Sequence, residues 1–173
     1  MQTVYLGVGS NLEPETNVPA AVERLSAVIT VTGVSTFYRT APLGGRAQPD
    51  YWNGVVAGRT GQSPAALKQA LADLEGALGR QRTGDRYASR TLDLDLLLHG
   101  DLVIDRPGLH LPDPDLRVRP FLAWPLLELA PDLRLPDTGE RLADVAARLP
   151  REGLSPLVEV TRALRALISA PPP

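Results

Sequence analysis

"RTLDLDLLLHG", residues 90–100, carries both the apolar signature of a core strand and two aspartates in its middle. Side chains alternate between the two faces of a strand. Leu92, Leu94 and Leu96 therefore share one face, and Asp93, Asp95 and Leu97 share the other. Two strand rises separate the carboxylates by roughly 6–7 Å. Like charges so placed repel, and burial makes the repulsion worse. One reading is the solvated polar face of an antiparallel strand, which commonly alternates in this way. Two details favour another. Aspartate is depleted in strands, and Arg80, Arg82, Arg86 and Arg90 enter this strand from the preceding loop. Carboxylates beside arginines suit a polyphosphate with its divalent metal: magnesium is held by one or two carboxylates plus phosphates, and arginine grips phosphate bidentately. The combination favours nucleotide chemistry without naming a reaction.

Working outward, Thr3–Gly9 reads as a strand that ends in a Gly-Ser-Asn turn. Val18, Val22, Leu25 and Val28 or Ile29 recur at helical spacing. Val31–Tyr38 is β-branched and aromatic, hence a strand, and Tyr51–Thr60 is another. Between them Arg39–Asp50 is a long loop rich in Gly and Pro, of the kind that is more often functional than idle. Ser63-Pro64 caps and opens a helix whose face is Leu67, Leu71, Leu74 and Leu78, closed by Gly79. Arg80–Ser89 is a second exposed loop. After the aspartate strand, Gly100-Asp101 predicts a tight hairpin into Leu102–Ile104. Asp113-Pro114 and Arg119-Pro120 each begin a helix, Pro125 demands a break or a new start, and Arg141–Leu149 is a short helix. The order β-α-β-β-α-β is the split β-α-β of ferredoxin-like α+β folds. It predicts a mainly antiparallel sheet with helices on one face, the other face being left to loops and ligands, plus an extra hairpin and C-terminal helices. Residues 1–155 read as one domain, and residues 156–173 as an extension, helical and then disordered.

Composition narrows the function. The 173 residues carry a formal net charge of −2, so no global electrostatic case exists for a nucleic acid or an anionic membrane. With no cysteine, disulfides, thiolate metal sites and thiol nucleophiles are excluded. His99 and His110 lack metal-protease spacing. No signal peptide or membrane-spanning run is visible, and the expectation is a cytoplasmic protein. "GVGSN" fits neither the P-loop nor the dinucleotide fingerprint and by itself is a tight turn. Tyr51 and Asn53 share a strand face, and Phe121 and Trp124 come later. An aromatic paired with an amide suits a flat heterocycle, stacking on its face and hydrogen-bonding its edge.

"VGSN", "FYRTAPLGGRAQPDYWN", "RTLDLDLLL" and "RPFLAWPLLELAP", in that order over about residues 3–150, resemble the 6-hydroxymethyl-7,8-dihydropterin pyrophosphokinases. The resemblance implies a monomer that moves the β,γ-pyrophosphoryl group of ATP to the pterin hydroxymethyl oxygen and releases AMP, in folate biosynthesis, with two Mg²⁺ ions. It implies that Asp93 and Asp95 hold both metals, and that Arg80, Arg90 and Arg119 contact phosphates. Tyr51 and Phe121 would sandwich the pterin, Asn53 would bond its edge, and the backbone of Thr40–Leu43, including Pro42, would complete the pocket. Arg82, Arg86 and Tyr87 belong to a loop closing over ATP, and Glu75 and Leu96 to the surroundings of the nucleoside. Two positions depart from the family's pattern. Asp113 stands where the family usually has histidine, and a carboxylate there should repel a triphosphate, giving weaker ATP binding, unless Arg117 offsets it. Tyr87 stands where the family has tryptophan. Other classes compete: a nucleic-acid module would need sheet aromatics and a basic surface, a metal-dependent phosphohydrolase could also use paired aspartates, and a chain that had lost catalysis would only bind.

Overall fold

In the computed structural model, residues 1–81, 84–85 and 87–169 are described. The chain runs β1 (Gln2–Ser10), α1 (Pro14–Leu25), β2 (Thr30–Val34), β3 (Tyr38–Thr40), β4 (Tyr51–Thr60), α2 (Pro64–Ala77) and β5 (Asp93–His99). There follow β6 (Ile104–Arg106), β7 (Leu109–Leu111), α3 (Pro120–Leu129), α4 (Leu142–Ala147), β8 (Ser155–Pro156) and α5 (Val158–Ser169). The main sheet has the order β5-β1-β4-β3-β8, with β2 also paired to β4. Every pairing in it is antiparallel. β1 and β2, joined through α1, are thus separated by β4, and β5 lies on the other side of β1, which is the split β-α-β order expected of the fold class.

The strand expected over Val31–Tyr38 is broken. β2 pairs with Val56–Arg59 and β3 with Tyr51–Asn53 of the same β4 edge. Between them Ser35 mends the ladder: its N–H donates to the Val55 carbonyl, and its Oγ accepts from the Val55 N–H, each at 2.9 Å. The break turns Phe37 under the sheet, where it is fully buried against Gly54. A Cβ on Gly54 would stand 2.5 Å from that ring, so only glycine allows the packing.

Helices cover both faces, not one. Val4, Leu6, Val8, Leu92, Leu94 and Leu96 pack with α1, α2 and Leu164 of α5. On the opposite face Val55, Leu97 and Leu98 pack with Leu122 and Leu126 of α3 and Leu142 and Val145 of α4. The second core follows from a register shift: Leu6 pairs with Leu96 but Tyr5 with Leu98, leaving Leu97 as a bulge. The bulge lets Leu97 and Leu98 both serve that core, a departure from strict alternation. α3 is apolar nearly all round, as a helix laid on a sheet requires, and it runs through Pro125 unbroken. The proline forfeits one helical hydrogen bond, and burial of its ring offsets the loss.

The expected hairpin at Gly100-Asp101 does not form. Gly100 instead donates to the Thr3 carbonyl at 2.7 Å, and the hairpin is made one strand later by β6 and β7. Asp113-Pro114 opens a 3₁₀ turn over Pro114–Arg117 in place of a full helix. α2 begins as expected, with Ser63 Oγ accepting from the Ala66 N–H. After Gly153, β8 adds to the β3 edge and α5 packs on α1 and β2. No helix is long and apolar enough to cross a membrane among the described residues.

Candidate active site

Where α3 stops short, the second face of the sheet lies open as a cleft of about 460 Å³. Its floor is built from three adjacent strands. β5 supplies Asp93 and Asp95; β1 supplies Gly9 and Gly7 opposite them; β4 supplies Asn53 opposite Gly9. The glycines are what make a floor possible. A Cβ on Gly9 would lie 2.6 Å from Asn53 Oδ1, and one on Gly7 would lie 3.0 Å from Leu122. β1 is thus apolar on the helix face, through Val4, Leu6 and Val8, and nearly bare on the cleft face. The "GVGSN" stretch read as a turn is therefore strand as far as Ser10. The signal for its role was the placing of Gly7 and Gly9 two apart, in phase with the aspartates.

The walls come from the two long loops. Thr40, Leu43, Tyr51 and Asn53 line one side, and Arg80, Tyr87 and Arg90 another; Arg119 and Phe121 approach from the start of α3. These expected residues are brought together with Asp93 and Asp95. Asn53 is buried, and its Nδ2 donates to Thr40 Oγ1 at 2.8 Å, which fixes the amide plane beside the cleft. Tyr51 is half-buried; loss of water raises its phenol pKa, partly opposed by Arg90.

The charges are arranged unequally. Both oxygens of Asp93 are taken: Arg80 Nη1 pairs with Oδ1, and Arg90 Nη1 with Oδ2 at 2.8 Å. Arg80 also donates to Glu75 Oε1 at 2.6 Å and to the Leu92 carbonyl at 3.1 Å. Asp95 has neither an ion pair nor a hydrogen bond among the described residues. It is reached by solvent from the cleft but walled by protein elsewhere. The water it has lost, and then repulsion from Asp93, Asp113 and Glu75, hold its carboxyl well above the ordinary carboxylate range. Two carboxyls on one strand face, one of them without a protein partner, fit a divalent cation site, because a cation displaces the proton and offsets the repulsion between them. The pair is two ligands only, and no cluster of three or more metal-binding side chains occurs among the described residues. A cation there must complete its shell with substrate oxygens and water, which is the habit of magnesium.

Four expectations fall differently. Glu75 is buried at the end of α2, accepting from the Leu94 N–H at 2.7 Å as well as from Arg80; it supports the aspartate strand from behind. Leu96 is buried in the first core and faces away from the cleft. Pro42 precedes the short 3₁₀ turn at Leu43–Gly45 and does not line the cleft. Asp113 does not line it either: its Oδ1 accepts from the Asp115 N–H at 2.8 Å, capping the 3₁₀ turn. Burial raises the Asp113 pKa, and that hydrogen bond offsets part of the rise. Arg117 does not balance it, being paired with Asp137 at 2.8 Å, and His110 is paired with Asp105 at 2.7 Å. Arg82 and Arg86 lie outside the described residues.

Sequence reasoning missed Asp115, Gln48, Asp85 and Ser89, which also line the cleft. Asp115 sits 3.7 Å from Arg119 Nε, and its carbonyl accepts the Arg119 N–H at 2.8 Å, so the capped turn delivers Arg119 to the cleft. The i, i+4 spacing of Asp115 and Arg119 was the available signal.

Comparison with known proteins gives the family of the chain. The family model described as 7,8-dihydro-6-hydroxymethylpterin-pyrophosphokinase (HPPK) matches residues 5–131. A 2-amino-4-hydroxy-6-hydroxymethyldihydropteridine pyrophosphokinase of Pseudomonas aeruginosa is 41% identical over 160 residues, covering 91% of this chain and 98% of that one. The protein of the same name from Haemophilus influenzae is 40% identical over 141 residues, covering 80% and 88%. A crystal structure of HPPK-DHPS in complex with substrates superposes with a TM-score of 0.66 at 11% identity, over 85% of this chain and 43% of that one, a likeness of fold. A floor of paired aspartates, a wall of arginines and an aromatic-amide pocket thus occur in a chain that belongs to the 7,8-dihydro-6-hydroxymethylpterin-pyrophosphokinase family.

Proposed function

We propose that the chain transfers the β,γ-pyrophosphoryl group of ATP to the hydroxymethyl oxygen of 6-hydroxymethyl-7,8-dihydropterin, giving AMP and the pterin pyrophosphate in folate biosynthesis. The observation that carries this reading is the meeting, in one cleft, of an unpartnered Asp95, an arginine-bound Asp93 and the Tyr51–Asn53–Phe121 pocket.

The bond that forms joins the substrate alcohol oxygen to the β-phosphorus; the bond that breaks is the α,β-bridge, with AMP leaving. Such a reaction asks for in-line positioning and charge neutralisation more than for a side-chain nucleophile. Tyr51 and Phe121 stack the pterin, Asn53 bonds its edge, and the Thr40–Leu43 backbone closes that side. Thr40 serves through its hydroxyl too, since it fixes the Asn53 amide. Arg80, Arg90 and Arg119 bind phosphate oxygens, and Tyr87, with Arg82 and Arg86, covers the nucleotide. Arg80 and Arg90 are held on Asp93 in the free protein, so triphosphate must compete for them. Asp93 and Asp95 would hold two Mg²⁺ ions, which would neutralise phosphate charge and make the acceptor hydroxyl more acidic. Glu75 keeps Arg80 and the Leu94 backbone in place during this exchange. The enzyme acts as a cytoplasmic monomer on these two small molecules.

Asp95→Ala is expected to lower Mg²⁺-dependent AMP formation by at least about a hundredfold, a loss of roughly 3 kcal/mol of transition-state stabilisation, with the fold retained by circular dichroism. Wild-type turnover in that variant removes Asp95 from the metal site.

A further inference from the structure

We infer that the molecule carries a second binding site, for a small molecule that joins a phosphate or carboxylate group to an apolar ring. The site is a pocket of about 590 Å³ beside the C-terminal segment, and it shares no lining residue with the cleft. Its size is ordinary for a small-molecule site. Apart from Thr36 and Tyr38, its lining comes from beyond residue 131, where the family match ends.

Two side chains in it have unused hydrogen-bonding groups. Tyr38, in β3, is 8% exposed, and its hydroxyl makes no hydrogen bond among the described residues. A buried phenol ordinarily has a partner. Tyr38 lines the pocket, so a ligand there can supply one. Arg151 is the other. Its guanidinium lies over the Trp124 ring, 4.6 Å from the centroid, and makes no ion pair or hydrogen bond among the described residues. Trp124 is itself anchored, its Nε1 donating to the Leu149 carbonyl at 3.4 Å. Stacking of this kind orients a guanidinium and leaves its N–H edge for an oxyanion.

The remaining charges agree in sign. Arg162 and Arg165 also line the pocket, and no carboxylate does. Arg165 is engaged as a wall: Nη2 donates to Glu128 at 2.7 Å and Nε to the Val34 carbonyl at 3.0 Å, and Glu128 also accepts from the Thr36 N–H at 3.0 Å. Arg162 pairs with Glu159 at 2.9 Å, but both side chains are well exposed, and such a pair is weak enough to open for a ligand. Leu154, Pro156 and Val158 form an apolar wall, with Val158 59% exposed at the start of α5. Bare phosphate would engage the arginines and leave that wall wet; a ring attached to the oxyanion covers it.

The test is a titration with phenyl phosphate, benzoate and inorganic phosphate, followed by the indole N–H resonances of the protein's two tryptophans, assigned through Trp124→Phe. The Trp124 resonance reports on this pocket because the ring lies under Arg151. Phenyl phosphate or benzoate is expected to shift it with a dissociation constant of about 1 mM or tighter. The tighter of the two identifies the head group as phosphate or carboxylate. Arg151→Gln should weaken binding at least about tenfold, and Tyr38→Phe, which keeps the volume and removes the hydroxyl, several-fold. Arg119→Ala, in the cleft, should leave the titration unchanged. No shift with either ring compound up to about 10 mM, or wild-type affinity in Arg151→Gln, overturns the site. Inorganic phosphate binding as tightly as phenyl phosphate and benzoate overturns the assigned class of ligand.

Discussion

Asp93 and Asp95 differ in everything except residue type and face. Strand alternation alone puts both on the cleft side, so their partnership was legible in "RTLDLDLLLHG". What alternation could not give is that Arg80 and Arg90 both choose Asp93, because that depends on how the preceding loop folds back on the strand. Asp95 is left with a raised pKa, and the sign of its effect on stability follows. A folded carboxyl that keeps its proton longer than the unfolded one binds more protons in the native state across the window between the two pKa values. Stability attributable to Asp95 is therefore full below the ordinary carboxylate pKa and falls as pH rises through the raised one. Asp95→Asn is expected to raise the melting temperature of the metal-free protein at pH 8 more than at pH 5; an equal or larger gain at pH 5 counts against the charge crowding. Asp113 calls for a separate variant because its side chain both caps a turn and adds to the negative charge around Asp95. Asp113→Asn keeps a capping acceptor and removes the charge. A several-fold fall in KM for ATP at unchanged melting temperature is expected, and an unchanged KM shows that the charge does not reach the triphosphate. The family histidine's absence was visible in the sequence; the capping role was not, since it needs the backbone of Asp115 in view.

Among the elements, those with strong local signals sit where periodicity put them. β4 runs over Tyr51–Thr60 as expected, and α2 starts at the serine cap before Pro64. The misread elements share a cause, which is that tertiary packing overrode a local pattern. Val31–Tyr38 has the composition of a continuous strand, but Phe37 gains a fully buried site by leaving the ladder, and Ser35 repairs the gap. Pro125 looks like a helix breaker, yet it lies buried inside an unbroken α3. The Leu97 bulge cannot be seen in an all-leucine run, where a shift of one residue leaves the composition unchanged. Gly54→Ala tests the first of these. A Cβ 2.5 Å from the Phe37 ring forces the ring or β4 to move, and a loss of about 1–3 kcal/mol is expected by chemical denaturation. A neutral effect contradicts the tight fit between Phe37 and β4.

At the scale of the molecule, the second face of the sheet is shared between a core and a cleft. α3 and α4 cover one part, and the exposed remainder becomes the site because Gly7 and Gly9 put no side chains into it. The sequence showed the order of strands, and with it the sheet; it did not show α3 crossing to the far face, since an apolar helix carries no mark of which face it covers. The C-terminal segment shows the same limit. Periodicity indicated the helix, but only the fold reveals that Thr161 Oγ1 accepts from the buried Phe37 N–H at 2.9 Å and that Leu164 is fully buried. Leu164→Ala is expected to cost about 2–5 kcal/mol of stability while leaving both KM values unchanged below the transition; a loss under 1 kcal/mol contradicts the packing of α5 into the core. All of this architecture converges on one chemical claim, that the cleft moves a pyrophosphoryl group from ATP to a pterin alcohol. The direct measurement is product analysis after incubating the protein with ATP, Mg²⁺ and 6-hydroxymethyl-7,8-dihydropterin. AMP and the pterin pyrophosphate should form in equal amounts, only when both substrates and the metal are present; ADP or free phosphate in place of AMP, or AMP formed without the pterin, contradicts the claim.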